Sequence, residues 1–169
     1  MNRLAGGIHI GLGANLPSAA GDPVATLEKA VADIAAAGID ILRRSPWYES
    51  APVPRADDQP WYVNGVIEVA TDLDPAALLG LLQGLEAQSG RVRSVANAPR
   101  PLDLDIIAYR DLVLAGPNPP LLPHPRMAVR AFVLLPLRAI APDWRHPVSG
   151  RSVGDLIAAL PPDQEIRLL

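Results

Sequence analysis

The chain has 169 residues, of which 49% are hydrophobic and only 4% aromatic; it has no cysteine and a net charge of −3. This length and composition predict one domain, residues 1–169, with a sizeable core. The charge argues against a nucleic-acid partner, and the lack of cysteine excludes disulfides and thiolate zinc sites. No apolar run approaches the ~20 residues of a membrane span, and the N-terminus lacks a signal-peptide pattern. We therefore expect a cytoplasmic protein with no membrane partner.

The N-terminal part predicts a strand followed by a helix. Residues 8–12 are an apolar strand that ends in a turn, because the Gly-Leu-Gly here lacks the spacing of a nucleotide-binding loop. Asp22 and Pro23 are typical of a helix start, with an N-cap carboxylate followed by a first-turn proline. Apolar residues then recur at helical spacing as far as Gly38, which is typical of a helix end.

The middle of the chain predicts two strands and a second helix. Residues 39–49 are predicted as a strand, which Pro46 bends or places at an edge. Residues 62–71 are predicted as the third strand. Asp74 and the proline after it repeat the helix-start pattern, and this helix is expected to end at Gly90.

The remaining elements complete a recognisable order. A fourth strand covers residues 102–107 and is predicted to turn into residues 112–114. Residues 130–137 are apolar and expected to be buried, and a capping-box pattern predicts a last helix over residues 152–160. The order β-α-β-β-α-β is that of α+β, ferredoxin-like folds. We therefore predict a mainly antiparallel sheet with its helices packed on one face, and a C-terminal extension.

One stretch combines acidic and basic residues in a pattern that indicates a phosphate site. Apolar and acidic residues alternate here, so Asp103 and Asp105 share one face of a strand with Cα atoms about 6–7 Å apart. Two carboxylates repel each other unless a cation lies between them, and such oxygen ligands suit Mg²⁺. Three arginines upstream are suited to holding phosphates in fork geometry: Arg91, Arg93 and Arg100. The alternative is a solvated strand face beside a basic loop.

Eight separated segments resemble the 6-hydroxymethyl-7,8-dihydropterin pyrophosphokinase family. They follow the family's order over nearly the whole chain: residues 11–16, 45–50, 59–64, 86–93, 99–106, 123–124, 130–132 and 136–137. The resemblance implies transfer of pyrophosphate from ATP to the hydroxymethyl oxygen of the pterin, with AMP as the leaving group. The partners expected from it are ATP and 6-hydroxymethyl-7,8-dihydropterin, and we expect the protein to be a monomer.

The resemblance also implies roles on the nucleotide side. Asp103 and Asp105 would ligate two Mg²⁺ ions that bridge the triphosphate, and together with Arg91 and Arg100 they form the predicted catalytic set. The other implied ATP-binding residues are Gln83, Glu86, Arg93, Ile106, His124 and Arg130. Transfers of this kind depend on positioning and electrostatics, so a nucleophilic side chain is not required.

The implied pterin side accounts for several of the rare aromatic residues. Tyr62 and Phe132 occupy the family's stacking positions, where two aromatic faces hold a flat bicyclic ring. Asn64 offers a donor and an acceptor to the amide-like edge of the ring. Backbone groups around Ser50, Ala51 and Val53 would contact the rest of that edge.

The sequence departs from the family in one loop. Residues 94–98 lack the usual basic residue followed by tryptophan, and the loop is one residue shorter. Since that tryptophan helps seal the site, the departure bears on lid closure and water exclusion. Two alternatives remain open: a paralogue on the same scaffold with slower or altered activity, and a non-catalytic ferredoxin-like ligand-sensing module.

Overall fold

A computed structural model describes residues 6–52, 60–90 and 101–169 of the chain. In chain order the elements are β1 (Ile8–Ala14), α1 (Pro23–Ala36), β2 (Asp40–Arg44), β3 (Tyr48–Ser50), β4 (Tyr62–Ala70), α2 (Pro75–Gln88), β5 (Asp103–Tyr109), a 3-10 helix (Met127–Val129), α3 (Ala131–Ile140), α4 (Val153–Ala158) and β6 (Ile166–Leu168). Among the helices of the described residues, none combines the length and the apolar character needed to cross a membrane.

The strands form one sheet in the order β5-β1-β4-β3-β6, with β2 also paired to β4. Each of these pairs is antiparallel. This order places the first and third predicted strands at the centre and the fourth at one edge. The predicted fold class is confirmed: a mixed α/β fold, with a mainly antiparallel sheet and flanking helices.

Both predicted helix starts are capped as expected. The Asp22 carboxylate accepts a hydrogen bond from Ala25 N at 2.8 Å, and the Asp74 carboxylate accepts one from Ala77 N at 2.8 Å. Because each cap satisfies an N–H that has no partner within its helix, the two helices begin at defined residues.

The sheet carries a hydrophobic core on each face. On the first face α1 and α2 cover the inward side chains of β1, β4 and β5, with Leu27, Ile34, Leu78 and Leu82 fully buried. On the second face α3 and α4 pack through Leu134, Leu137 and Leu156 against Val66 and Ile107. The prediction that the helices lie on one face therefore holds for α1 and α2 and was wrong for the C-terminal helices.

The predicted second strand is divided into β2 and β3, and both pair with β4. Pro46 lies in the break and has no N–H to donate to a ladder. Ser45 fills the gap: its N donates to Val66 O, and its Oγ accepts from Val66 N at 2.9 Å. The chain thus bends without leaving the Val66 amide unpaired.

Three C-terminal features differ from expectation. Residues 112–114 form no strand and make only the single bridge between Leu114 and Leu122. The segment predicted only as buried is the helix Ala131–Ile140, and the last helix is the shorter Val153–Ala158, capped by Ser152 as predicted. The pairing of the short strand Ile166–Leu168 with β3 was not foreseen, because its partner lies more than a hundred residues away.

Candidate active site

The two aspartates of β5 share the second face of the sheet. Asp103 and Asp105 are half-buried, while the neighbouring Leu104 and Ile106 are buried in the first core. The predicted alternation is therefore present over this segment. The side chain of Ile106 lies in the first core, on the opposite face of the strand. The predicted contact of Ile106 with the nucleotide would therefore have to come from its backbone.

Two glycines of β1 lie between these aspartates and β4. In the antiparallel register Asp103 lies opposite Gly13 and Asp105 opposite Gly11. On its other side Gly13 lies opposite Asn64, so Asp103, Gly13 and Asn64 form a row across three strands. Opposed residues of a ladder share a face, and two strand spacings put the outer Cα atoms about 10 Å apart. Gly13 is buried, and Asn64 Oδ1 lies 3.1 Å from the position of a Cβ there, so the missing side chain makes room for the Asn64 amide.

Asn64 is held in place by the next strand. It is buried, at 4% exposure, and its Nδ2 donates a hydrogen bond to Ser50 Oγ at 2.7 Å. Tyr62 lies opposite Ser50 in the register of β3 and β4 and is half-buried on the same face as Asn64. Ala51 follows, buried, at the end of β3. Four of the predicted pterin-binding residues are thus neighbours around one sheet corner, while Val53 lies outside the described residues.

Glu86 supports the aspartate strand from its free edge. Its side chain is 1% exposed, and its Oε2 accepts a hydrogen bond from Leu104 N at 2.9 Å. Among the described residues β5 is the last strand of the sheet on this side, and the buried Glu86 carboxylate takes the place of a strand partner for this N–H. Glu86 therefore fixes the backbone between Asp103 and Asp105. Gln83 lies one turn earlier on α2 and is half-buried, and its contact with a nucleotide stays a prediction.

His124 approaches the site from the loop before α3. Its N donates to Ile107 O at 2.9 Å, and its Nδ1 accepts from Arg126 N at 3.1 Å. The pKa of His124 is lowered to about 4, mainly by burial; the charges of Arg130 and Arg126 contribute to the lowering, and Asp103 opposes it. The ring is therefore neutral at pH 7. Since Nδ1 is an acceptor, the proton is on Nε2, where it can be donated to a phosphate oxygen.

Arg130 and Phe132 lie where the 3-10 helix passes into α3. The guanidinium of Arg130 lies over the Phe132 ring, 5.4 Å from its centroid. Phe132 is half-buried and packs against the second core, the one that contains Val66 and Ile107. Both residues thus lie over the sheet face that carries Asp103.

The donor set suits magnesium better than a metal bound wholly by protein. Among the described residues no group of three or more His, Cys, Asp and Glu side chains could hold a metal ion. Mg²⁺ typically takes one or two carboxylates and completes its shell with water and nucleotide phosphates. Asp103 and Asp105 fit that requirement. The three predicted phosphate ligands of the upstream stretch, Arg91, Arg93 and Arg100, lie outside the described residues, as does the divergent loop 94–98.

Sequence reasoning overlooked the role of the two glycines. The sequence predicts a strand over residues 8–12 with a turn from Gly13, whereas β1 continues through Gly13 to Ala14. The alternation of the two glycines with Ile10 and Leu12 was the signal available, because it places both glycines on the face opposite the apolar side chains.

Comparison with known proteins gives matches to one family. A family model described as 7,8-dihydro-6-hydroxymethylpterin-pyrophosphokinase matches residues 9–142. A 2-amino-4-hydroxy-6-hydroxymethyldihydropteridine pyrophosphokinase of Synechocystis sp. is 41% identical over 152 residues, covering 89% of this chain and 74% of the relative. One from Pseudomonas aeruginosa is 47% identical over 117 residues, covering 69% of this chain and 70% of the relative.

Solved structures show the same fold. The wild-type HPPK-DHPS of Plasmodium falciparum superposes with a TM-score of 0.69 at 14% identity and covers 89% of this chain. The match takes in 40% of that longer protein, so the chain corresponds to less than half of it.

Proposed function

The chain belongs to the 7,8-dihydro-6-hydroxymethylpterin-pyrophosphokinase family, and from this premise we propose how its residues carry out pyrophosphate transfer. It is an enzyme of folate biosynthesis, a pyrophosphokinase with ATP as co-substrate. In the proposed reaction the hydroxymethyl oxygen of 6-hydroxymethyl-7,8-dihydropterin attacks the β-phosphorus of ATP. The bond from that phosphorus to the α–β bridging oxygen breaks, AMP leaves with the oxygen, and the hydroxyl proton is lost.

The row Asp103, Gly13, Asn64 is the observation that carries this proposal. It puts a pair of carboxylates at one end of a row across three strands and an amide suited to a pterin edge at the other. With about 10 Å between the outer Cα atoms, a bicyclic ring bound at Asn64 would have its hydroxymethyl arm directed at the carboxylates.

On the nucleotide side the roles follow from charge. Asp103 and Asp105 would hold two Mg²⁺ ions, which neutralise the triphosphate and favour loss of the hydroxyl proton. Arg130 and the neutral His124 would donate hydrogen bonds to phosphate oxygens from the α3 side. Glu86 would keep the aspartate strand in register through Leu104 N. We assign the remaining phosphate and nucleotide contacts as predicted from the sequence, to Gln83, the backbone of Ile106, Arg91, Arg93 and Arg100.

On the pterin side Tyr62 and Phe132 would contact the two faces of the ring. Asn64 would donate and accept at the ring edge, with its amide oriented by the hydrogen bond to Ser50 Oγ. The backbone around Ala51, and Val53 by the family pattern, would read the rest of that edge. A monomeric state and a cytoplasmic location stay predictions.

The direct test supplies the purified chain with ATP, Mg²⁺ and 6-hydroxymethyl-7,8-dihydropterin and measures AMP release. We expect AMP only when all three are present and none after the metal is chelated. No AMP from a folded protein would refute the proposal. ATP binding without turnover and without dependence on the pterin would instead favour the ligand-sensing alternative.

A further inference from the structure

The C-terminal segment, residues 164–168, contacts both sides of the proposed site. At its start the side chain of Gln164 reaches the backbone around Arg130. Immediately after, Glu165 O accepts a hydrogen bond from Ala51 N at 3.1 Å, and Ile166 lies opposite Ser50 in the β3–β6 ladder. Five consecutive residues thus connect the phosphate side to the pterin side.

The Gln164 amide holds the peptide groups on either side of Arg130. Its Nε2 donates to Val129 O at 2.7 Å, and its Oε1 accepts from Ala131 N at 2.8 Å. Arg130 is the N-cap of α3 and makes no capping hydrogen bond with its own side chain. The distant glutamine thus accepts from the N1 amide of α3, one of the N–H groups that have no partner within the helix, while it also holds the carbonyl before Arg130.

The two hydrogen bonds of Gln164 fix the peptide groups before and after Arg130 from outside the helix. Because the orientation of these peptide groups sets the direction of the Arg130 Cα–Cβ bond, Gln164 influences where the guanidinium lies. The body of α3 does not depend on it, since Val133, Leu134 and Leu137 anchor the helix in the second core.

We propose that Gln164 is a positioning residue for Arg130, setting the direction of its guanidinium toward the phosphates of ATP. The inference rests on the proposed function. It adds a determinant of ATP affinity that lies in the C-terminal extension, far in sequence from the phosphate-binding residues. It also predicts that Gln164 acts through Arg130 and not on the pterin pocket, where the backbone of Glu165 and Ile166 pairs with Ala51 and Ser50.

Two substitutions and one control test the proposal. Gln164→Met keeps the length and bulk of the side chain but removes both hydrogen bonds, whereas Gln164→Ala removes the bulk as well. Asp163→Ala changes the exposed neighbouring residue. Each lost hydrogen bond contributes about 1 kcal/mol, and part of this free energy should be lost from ATP binding through Arg130. We therefore expect the KM for MgATP to rise about 10-fold in both Gln164 variants. We expect the KM for the pterin to change less than about threefold, and Asp163→Ala to behave like the wild type.

A double-mutant cycle with Arg130→Ala separates positioning from general damage. If Gln164 acts through Arg130, Gln164→Met should change the KM for MgATP less than about twofold when Arg130 is already absent. Additive effects, or an equal rise in both KM values, would overturn the proposal. A wild-type-like Gln164→Met with an impaired Gln164→Ala would also overturn it, because packing and not hydrogen bonding would then be responsible.

Two further measurements test the role of Gln164 independently of whether the protein catalyses the proposed reaction. Amide hydrogen exchange at Ala131 should accelerate in Gln164→Met, whatever the protein catalyses. Calorimetric titration with MgATP in the absence of turnover should show that the variant binds MgATP more weakly than the wild type, by the same factor as the KM for MgATP rises. If the wild type releases no AMP, the proposed function fails, and unchanged MgATP affinity in the variant would then reject the role of Gln164 separately.

Discussion

Gly13 lies directly opposite Asn64 across β1 and β4, and a Cβ at Gly13 would come within 3.1 Å of Asn64 Oδ1. That distance is short enough that the amide would have to shift. The amide is already tied to Ser50 Oγ on its other side, so a shift would cost that hydrogen bond or its geometry. The absence of a side chain at Gly13 is thus part of the proposed pterin pocket.

Gly13→Ala should weaken pterin binding while leaving the fold intact. We expect the KM for the pterin to rise about 10-fold, the cost of roughly one well-placed hydrogen bond, with a smaller change in the KM for MgATP. Steady-state kinetics with each substrate varied in turn provide the measurement. Gly80→Ala is the matched control: a Cβ at this exposed position of α2 meets nothing within 4 Å. Equal effects on both substrates would contradict the assignment of Asn64.

Asp103→Asn and Asp105→Asn should each reduce AMP release by about 10³-fold or more, because a ligand of the metal-bound triphosphate loses its charge. The melting temperature measured without Mg²⁺ should stay the same or rise, since repulsion between neighbouring carboxylates is relieved. Thermal melts and turnover assays on the same preparation test both parts. Asp111→Asn, at an exposed site beyond the strand, serves as control. Unfolding of either site variant would mean that the pair is structural.

Glu86→Ala should destabilise the fold by about 1–3 kcal/mol, because the buried Leu104 N–H loses its acceptor at the edge of the sheet. Glu86→Gln keeps a carbonyl oxygen at that position and should recover most of the loss. Urea denaturation of the two variants, with the exposed Gln88→Ala as control, measures the difference. Equal stability of the Ala and Gln variants would show that this hydrogen bond contributes little.

The stability of the fold should depend on pH through His124. Its pKa is lowered from 6.5 to about 4, so between these values the unfolded chain binds a proton that the folded chain does not. Stability therefore falls as the pH falls through this window. His124→Asn removes the titration, and the melting temperature of the variant should fall by about 3–6 °C less than that of the wild type between pH 6.5 and pH 4.

His9 provides the internal comparison for that experiment. Burial also lowers its pKa, against the opposing effect of Glu68, so part of the acid sensitivity should remain in His124→Asn. Identical pH profiles for the wild type and the variant would show that His124 is not held in its neutral form. Differential scanning fluorimetry across the pH range is sufficient for both proteins.

Local sequence patterns predicted much of the fold and the strand face that carries the two aspartates. Alternation over residues 102–106 identified the face that carries Asp103 and Asp105, and Asp-Pro pairs located both helix starts. These predictions succeeded because each depends on residues close together in the chain. The second strand was only partly predicted, since its division at Pro46 depends on how Ser45 replaces the lost pairing with Val66.

The sequence by itself thus determined the order of the elements from β1 to β5, apart from the division of the second strand, as well as the aspartate face and, through its resemblance to one family, the substrates. Only the tertiary structure decided which residues neighbour that face. Register between distant strands placed Gly13 between Asp103 and Asn64, and packing brought Glu86 to the amide of Leu104 and Gln164 to the two peptides beside Arg130. No local pattern encodes these contacts, because their energy comes from pairing and packing between segments separated by tens of residues.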